Sequence, residues 1–377
     1  MTPEDLKPAP VQPNRFAAAY KVLSDAIAAR AFPGCAFGIL ASNQDAHPLK
    51  YCDAMGNFTY QADSPRVAPA TVYDLASVTK VVATTAATML LQQRGLLHLD
   101  SHLADLLPEF LSGRSPADGA QQVKLRHLLA HSSGLPGYVE FFRTASDSTE
   151  LLQVCLRLPL ESETGTRTEY SDPGFILLGK ALETIIREPL PSWVQREIFH
   201  PLGMTSTQFC PPPAERLGIP PTEEDHSFRR RIIQGEVQDE NAWLLQGAAG
   251  HAGLFSNVPD LLTFAGEILN AQLKNFPTGS KANLFHPRTV QLFAERQGPE
   301  GSSRALGWDT PSESSSSGHH FSLHSIGHLG FSGCSLWIDL EVGVAVVLLT
   351  NRTWPNRESQ LIREVRPAFN DAIREAL

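Results

Sequence analysis

The stretch YDLASVTKVVATTAATMLLQQRG, residues 73–95, sets Ser77 and Lys80 three residues apart at the mouth of an apolar run. Val81, Met89, Leu90 and their apolar neighbours continue to Gly95. A glycine just past the last apolar turn is the usual stop of a helix, so the pattern predicts a helix that opens at Ser77. Residues three apart share a helix face, which brings the Lys80 ammonium within hydrogen-bond reach of the Ser77 hydroxyl. That is a nucleophile and a proton carrier on one turn. Ser77 is the only serine of the chain with a lysine three residues on. One such pair is nevertheless expected by chance in roughly every chain of this size. The plain alternative, Ser77 as a helix cap and Lys80 in solvent, therefore stands until other motifs decide.

The chain has 377 residues, with 42% hydrophobic and 19% charged content, which describes an ordinary globular protein with ample core. A net charge of -9 and a pI near 5.8 argue against nucleic-acid binding. The basic run FRRR, Phe228 to Arg231, reads as a solvated loop. The start, MTPEDLKPAPVQPNRF, carries prolines and acids where an export signal needs a basic start and an apolar core, so a cytoplasmic location is the expectation. The longest apolar run, VGVAVVLL from Val342 to Leu349, is far shorter than the roughly 18 residues of a membrane helix. Neither a membrane nor a nucleic acid is an expected partner. Cys35, Cys52, Cys155, Cys210 and Cys334 lack C-x-x-C spacing and read as reduced thiols.

Phe16, Tyr20, Leu23 and Ile27 fall at helical spacing within residues 14–31, and Pro33-Gly34 ends that helix. CAFGILA and LKYCDAMGNF follow as strands. Helical patterns then fill 101–111, 121–132, 147–158, 173–187, 258–272 and 287–296. Strands return as GCSLWIDL and VGVAVVLLTN, before an amphipathic last helix in which Pro367 should introduce a kink. Strands at both chain ends around a helical middle predict an α+β fold, an antiparallel sheet closed by the two termini. The expected division is 14–72 with 298–377 as the sheet region and 73–297 as the helical region, with the site between them. PSESSSSGHHFS, residues 311–322, reads as a mobile surface loop.

Two further motifs bear on Ser77. In TEYSDPGFILLGKALETI, residues 168–185, Asp172 is a good N-cap, Pro173 suits the first helical turn, and Phe175, Leu177, Leu178 and Leu182 form a buried stripe. SIGHLGFSG, residues 325–333, places His328 before small turn-forming residues at the terminal strands. Taken in order, S-x-x-K, Y-S-D and H-x-G resemble the serine β-lactamase and penicillin-binding-protein superfamily. LRHLLAHSSGLPGY (125–138), PLGMTST (201–207), GAAGHAGLFSNVPDLL (247–262) and ALGW (305–308) look like segments of its class C β-lactamase-like branch. That branch includes D-alanyl-D-alanine carboxypeptidases, D-aminopeptidases and β-lactamase-fold esterases. The resemblance implies a β-lactamase/transpeptidase-like fold over nearly the whole chain.

By that resemblance Ser77 is the acylated nucleophile, Lys80 relays its proton, and Tyr170 is the general base and acid. His328 takes the first place of the third motif, and the amides of Ser77 and Phe331 form the oxyanion hole. Asp172, Leu329, Gly330 and Phe331 are the expected substrate-binding positions. Asp172 stands where many relatives have Asn. An ionised carboxylate cannot donate a hydrogen bond, and beside Lys80 it favours the ammonium. The expectation is thus that Tyr170, held toward phenolate by Lys80 and His328, takes the serine proton; a capping Asp172 turned away from the pocket is equally open. Leu329 replaces the usual Thr, which removes a hydrogen bond to a substrate carboxylate and suits an uncharged group.

The function expected is hydrolysis of a small ester, amide or short peptide through a Ser77 acyl-enzyme, with no cofactor. The alternatives are β-lactamase or D-alanyl-D-alanine carboxypeptidase activity, and a scaffold without turnover. His319, His320, His324 and His328 lack the spacing of a metal site, and GAAGHAG is not a nucleotide loop.

Overall fold

The computed structural model describes residues 15–42, 48–273 and 283–377. Strands β1 (Gly34–Ala41) and β2 (Leu49–Gly56) come from the start of the chain. Short strands β3 (Tyr73–Asp74), β4 (Gln208–Phe209), β5 (Glu223–Asp225), β6 (Arg231–Ile233) and β7 (Leu254–Ser256) follow, and β8 (Ser325–Leu329), β9 (Ser335–Asp339) and β10 (Val344–Thr350) close the chain. The main sheet runs β2-β1-β10-β9-β8, antiparallel throughout. The two ends meet at its centre, with Cys35 opposite Thr350 and Ala41 opposite Val344. This is the predicted antiparallel sheet of an α+β fold.

Period-two alternation explains its layering. Phe37, Ile39, Val346 and Leu348 join Leu23, Phe369 and Ile373 under helices α1 (Ala17–Ala28) and the C-terminal Ile362–Ala376. Ala36, Leu40, Val347 and Leu349 point the other way, onto Val258 and Leu262 of the helix Val258–Gln272. Both faces are covered, so β1 and β10 are buried along their whole length and read as continuous apolar runs. Gly38 lets that helix close on the sheet, because a Cβ there would collide with Val258.

The helices expected over 147–158, 173–187, 258–272 and 287–296 are present as Ser148–Leu156, Asp172–Ile186, Val258–Gln272 and Pro287–Ala294. Two expectations give way. The 101–111 segment breaks into a turn of helix at Leu103–Leu106 and a 3₁₀ turn at Pro108–Leu111, since Pro108 cannot donate to the ladder. Only Leu125–Leu129 of 121–132 is α-helical. The last helix runs on through Pro367. SIGHL forms an edge strand of its own, β8, beside β9.

Two loop readings are corrected as well. Within the 311–322 segment Ser317 and Phe321 are buried, Asn370 donates to Ser316 O, and Ser322 donates to Asp339, so the segment is docked on the sheet and last helix. In the basic run Arg230 and Arg231 are exposed as expected, but the Arg229 side chain is buried against Asp225 at 3.1 Å and donates to the carbonyls of Val237 and Gln238. Among the described residues no helix is long and apolar enough to cross a membrane.

Candidate active site

Ser77 does not open a regular α-helix. It sits on a 3₁₀ turn, Ala76–Val78, followed by a wide π-helical turn, Lys80–Thr85, and only then by the α-helix Ala86–Gln93. Ala76 is held at φ +47, a strained conformation for an alanine. The buried Asp74 carboxylate secures it by accepting the Ala76 amide at 2.8 Å and the Gln238 amide at 2.7 Å. Burial pushes the Asp74 carboxyl up to about 6, against the pull of those two amides.

The predicted Ser77–Lys80 pairing forms: Lys80 Nζ donates to Ser77 Oγ at 3.0 Å, to Asp172 Oδ1 at 2.7 Å and to the His251 carbonyl at 3.1 Å. Lys80 is fully buried. Burial alone would depress its pKa, but the Asp172 charge and Tyr170 prevail and hold it above the usual lysine value. Asp172 faces the pocket, and the helix is capped instead by Ser171, whose Oγ accepts the Gly174 amide at 3.0 Å. Asp172 occupies the first helical position, where the helix dipole also favours its charge.

Tyr170 is positioned by His131, for which the sequence offered no role. The His131 carbonyl accepts the Glu169 amide at 2.9 Å and its Nδ1 accepts the Ser171 amide at 3.0 Å, so one residue grips the chain on both sides of the tyrosine. His131 adopts φ +55, and its ring lies 4.5 Å from that of Tyr170. Lys80 Nζ is 4.9 Å from the tyrosine ring centre, and Arg304, also unremarked in the sequence, brings its guanidinium to 5.2 Å.

His328 is buried at the end of β8, with its ring 5.9 Å from Tyr170. Its Nδ1 bonds the Leu329 carbonyl at 2.8 Å, a contact only an N–H can make, so Nε2 carries the lone pair. Burial, then Lys80 and Arg304, push His328 well below the ordinary histidine pKa; burial, Arg304, Lys80 and His328 do the same to His131. Both shifts favour neutral imidazoles, so any influence of His328 on Tyr170 runs through the Nε2 lone pair rather than through a positive charge. The Nε2 atoms of both imidazoles lack a hydrogen-bond partner among the described residues. Since His131 Nδ1 accepts, its Nε2 bears the proton: one ring offers a donor, the other an acceptor.

The turn after His328 meets the Ser77 turn directly. A Cβ on Gly330 would collide with the Leu75 carbonyl, and Ser332 Oγ donates to the Asp74 carbonyl at 2.8 Å. Buried Arg366 of the last helix pins this turn through the carbonyls of Gly330 (2.7 Å) and Cys334 (2.9 Å). The amides of Ser77 and Phe331 donate to no protein acceptor among the described residues. The Phe331 ring is half exposed, with the Arg352 guanidinium 4.3 Å from its centre, and Leu329 is half-buried. The remaining histidines of the 319–328 group are not gathered here: His319 and His320 pair with Asp371 and Glu375.

The Beta-lactamase family model matches residues 21–367. A proposed D-alanyl-D-alanine carboxypeptidase of Escherichia coli (strain K12) is 32% identical over 308 residues, 75% of this chain and 69% of that protein. N-acetylmuramyl-L-alanine amidase of Bacillus subtilis (strain 168) is 31% identical over 312 residues, 75% of this chain and 68% of the relative. Among solved structures, EstCE1, a hydrolase with promiscuous acyltransferase activity, superimposes with a TM-score of 0.74 at 22% identity, over 96% of this chain and 99% of its own, which bears on the fold alone.

Proposed function

The chain belongs to the β-lactamase family of serine hydrolases, and from that premise we propose that Ser77 is its nucleophile, cleaving a small ester or amide through an acyl-enzyme. The observation that carries this reading is Lys80, buried and bridging Ser77 Oγ at 3.0 Å and Asp172 at 2.7 Å. An ammonium so held is a poor base but a good proton donor and counter-charge. Tyr170 takes the serine proton as Oγ attacks the carbonyl carbon, and Lys80 offsets the phenolate and alkoxide charge. The carbonyl oxygen, now an oxyanion, is met by the Ser77 and Phe331 amides. Collapse expels the leaving group, which takes the proton back from Tyr170; water then repeats the sequence to free the acid and regenerate Ser77.

Leu329 leaves the wall beside His328 without a hydrogen-bonding side chain, which favours an uncharged acyl group or alcohol there. The test is labelling by a serine-reactive fluorophosphonate together with turnover of a short-chain nitrophenyl ester. Wild type should gain one adduct and hydrolyse the ester. Ser77→Ala should lose the adduct and about 10³-fold or more of kcat, and Tyr170→Phe about 10²-fold. Ester turnover that survives in Ser77→Ala would overturn the assignment; near-normal turnover in Tyr170→Phe would pass the base role to Lys80.

A further inference from the structure

Two short pieces of one segment grip the Ser77 turn. At the first, the Gln238 amide donates to Asp74 at 2.7 Å, and Asp239 follows in sequence. At the second, Gly250 O accepts Thr84 Oγ1 at 2.6 Å, His251 O accepts Lys80 Nζ at 3.1 Å, and the Leu254 amide donates to Thr79 Oγ1 at 3.1 Å. A side-chain contact ties the two pieces together: Asp239 Oδ1 and His251 Nε2 stand 2.9 Å apart. Burial works against the charge of Asp239, but His251, the Ala242 amide and Lys80 prevail and hold its carboxyl down to about 2. An ionised carboxylate only accepts, so Nε2 donates. The His251 ring is buried, and among the described residues its Nδ1 has no partner, so there the bond to Asp239 is the only one that fixes the ring.

The plain reading of Asp239 is a helix cap, because its Oδ1 also accepts the Ala242 amide at 2.7 Å at the start of the helix Glu240–Leu244. A cap accounts for the carboxylate but not for the buried imidazole bonded to it. That imidazole belongs to the residue whose carbonyl is the third acceptor of Lys80. A supporting group holds a reacting one only as well as its own orientation is locked by further hydrogen bonds. With the ring unfixed, the peptide at His251 is free to turn, and Lys80 Nζ loses an acceptor that keeps it 3.0 Å from Ser77 Oγ. We propose that Asp239 is a positioning residue for the Ser77 reaction: through His251 it fixes the carbonyl that holds Lys80 against the nucleophile. This rests on the Ser77 and Lys80 roles above, and Asp239 itself touches no reacting atom.

The experiment measures kcat for the short-chain nitrophenyl ester per Ser77 site titrated with the fluorophosphonate, so that misfolded enzyme drops out of the rate. A role as cap alone would change how much enzyme is labelled, not how fast each site turns over. Asp239→Ser keeps a capping hydroxyl but is too short to reach His251, so kcat per labelled site should fall about tenfold or more with KM close to wild type. Asp239→Asn keeps Oδ1, the atom that makes both bonds, and should retain most of the rate. His251→Ala should match Asp239→Ser, and the double variant should be no slower than either, since both act through one path. A wild-type rate per site in Asp239→Ser overturns the proposal, as does an Asp239→Asn enzyme as slow as Asp239→Ser, or losses that multiply in the double variant. Where Asp239→Ser does not fold, a wild-type rate per site in His251→Ala overturns it alone. Failure of the underlying hydrolase reading looks different: wild type then forms no adduct on Ser77 and leaves the ester intact.

Discussion

The two sides of the cleft differ in how their polar groups are satisfied. On the Ser77 side Lys80 spends all three donors on Ser77, Asp172 and the His251 carbonyl, and Asp74 takes two backbone amides, while the unpartnered atoms there, among them His251 Nδ1 and Tyr73 OH, lie outside those two networks. On the Tyr170 side two buried imidazole nitrogens and a guanidinium lack protein hydrogen-bond partners among the described residues. A closed network holds a strained turn in one geometry, whereas unpaired donors and acceptors are costly to the fold and are kept where a substrate supplies the partner. In the proposed mechanism the first side would set where the reacting atom sits and the second what can approach it.

The sharpest way to break this contrast is Lys80→Met. It leaves Asp172 partly buried without its partner, so unfolding free energy should fall by about 3–5 kcal/mol and turnover should be lost. Adding Asp172→Asn should recover much of the stability in denaturant titrations and none of the activity. If Lys80→Met unfolds at the wild-type midpoint, the network is not what holds the Ser77 side.

A smaller effect is expected at the joint between the two sides. Gly330→Ala pushes the turn after His328 off the Leu75 carbonyl, costing about 1–3 kcal/mol. It also moves the Phe331 amide away from Ser77, so kcat should fall more than KM rises. An unchanged kcat would remove that amide from the oxyanion hole.

The smallest effect separates Asp74 from its neighbours by pH. Its carboxyl titrates at about 6 in the folded chain and near about 4 when unfolded. The folded state thus holds a proton that the unfolded chain has released. This group's contribution to stability is fully present below about 4 and is lost as pH rises through 6. The difference between wild type and Asp74→Asn in urea midpoint should therefore change between about pH 4 and 6, by at most about 3 kcal/mol. A constant difference across that window would mean that Asp74 stays ionised.

Much of the site was legible because its motifs are local. S-x-x-K needs only one turn to bring Ser77 to Lys80, and the pairing survives although the turn is 3₁₀ and π rather than α. The sheet was legible for a similar reason: apolar runs such as VAVVLL can only be buried on both faces, and those at the two chain ends pair with each other. The cap of the helix at Asp172 was misread. Ser171 and Asp172 are both good caps by type, and the choice falls to Lys80, 92 residues away, whose buried ammonium claims the carboxylate.

Sequence alone thus determined the fold class, the order of the three motifs and the pairing of Ser77 with Lys80, because periodicity and short spacing act within a few residues. Tertiary structure alone decided that Asp172 turns to Lys80, that burial favours a neutral His328, and that His131 and Arg304 come beside Tyr170 and Arg366 beneath the Gly330 turn. Each of these depends on burial or on charges brought together across long stretches of chain, and neither the desolvation nor the Coulomb energy of a group exists until its distant neighbours have closed around it.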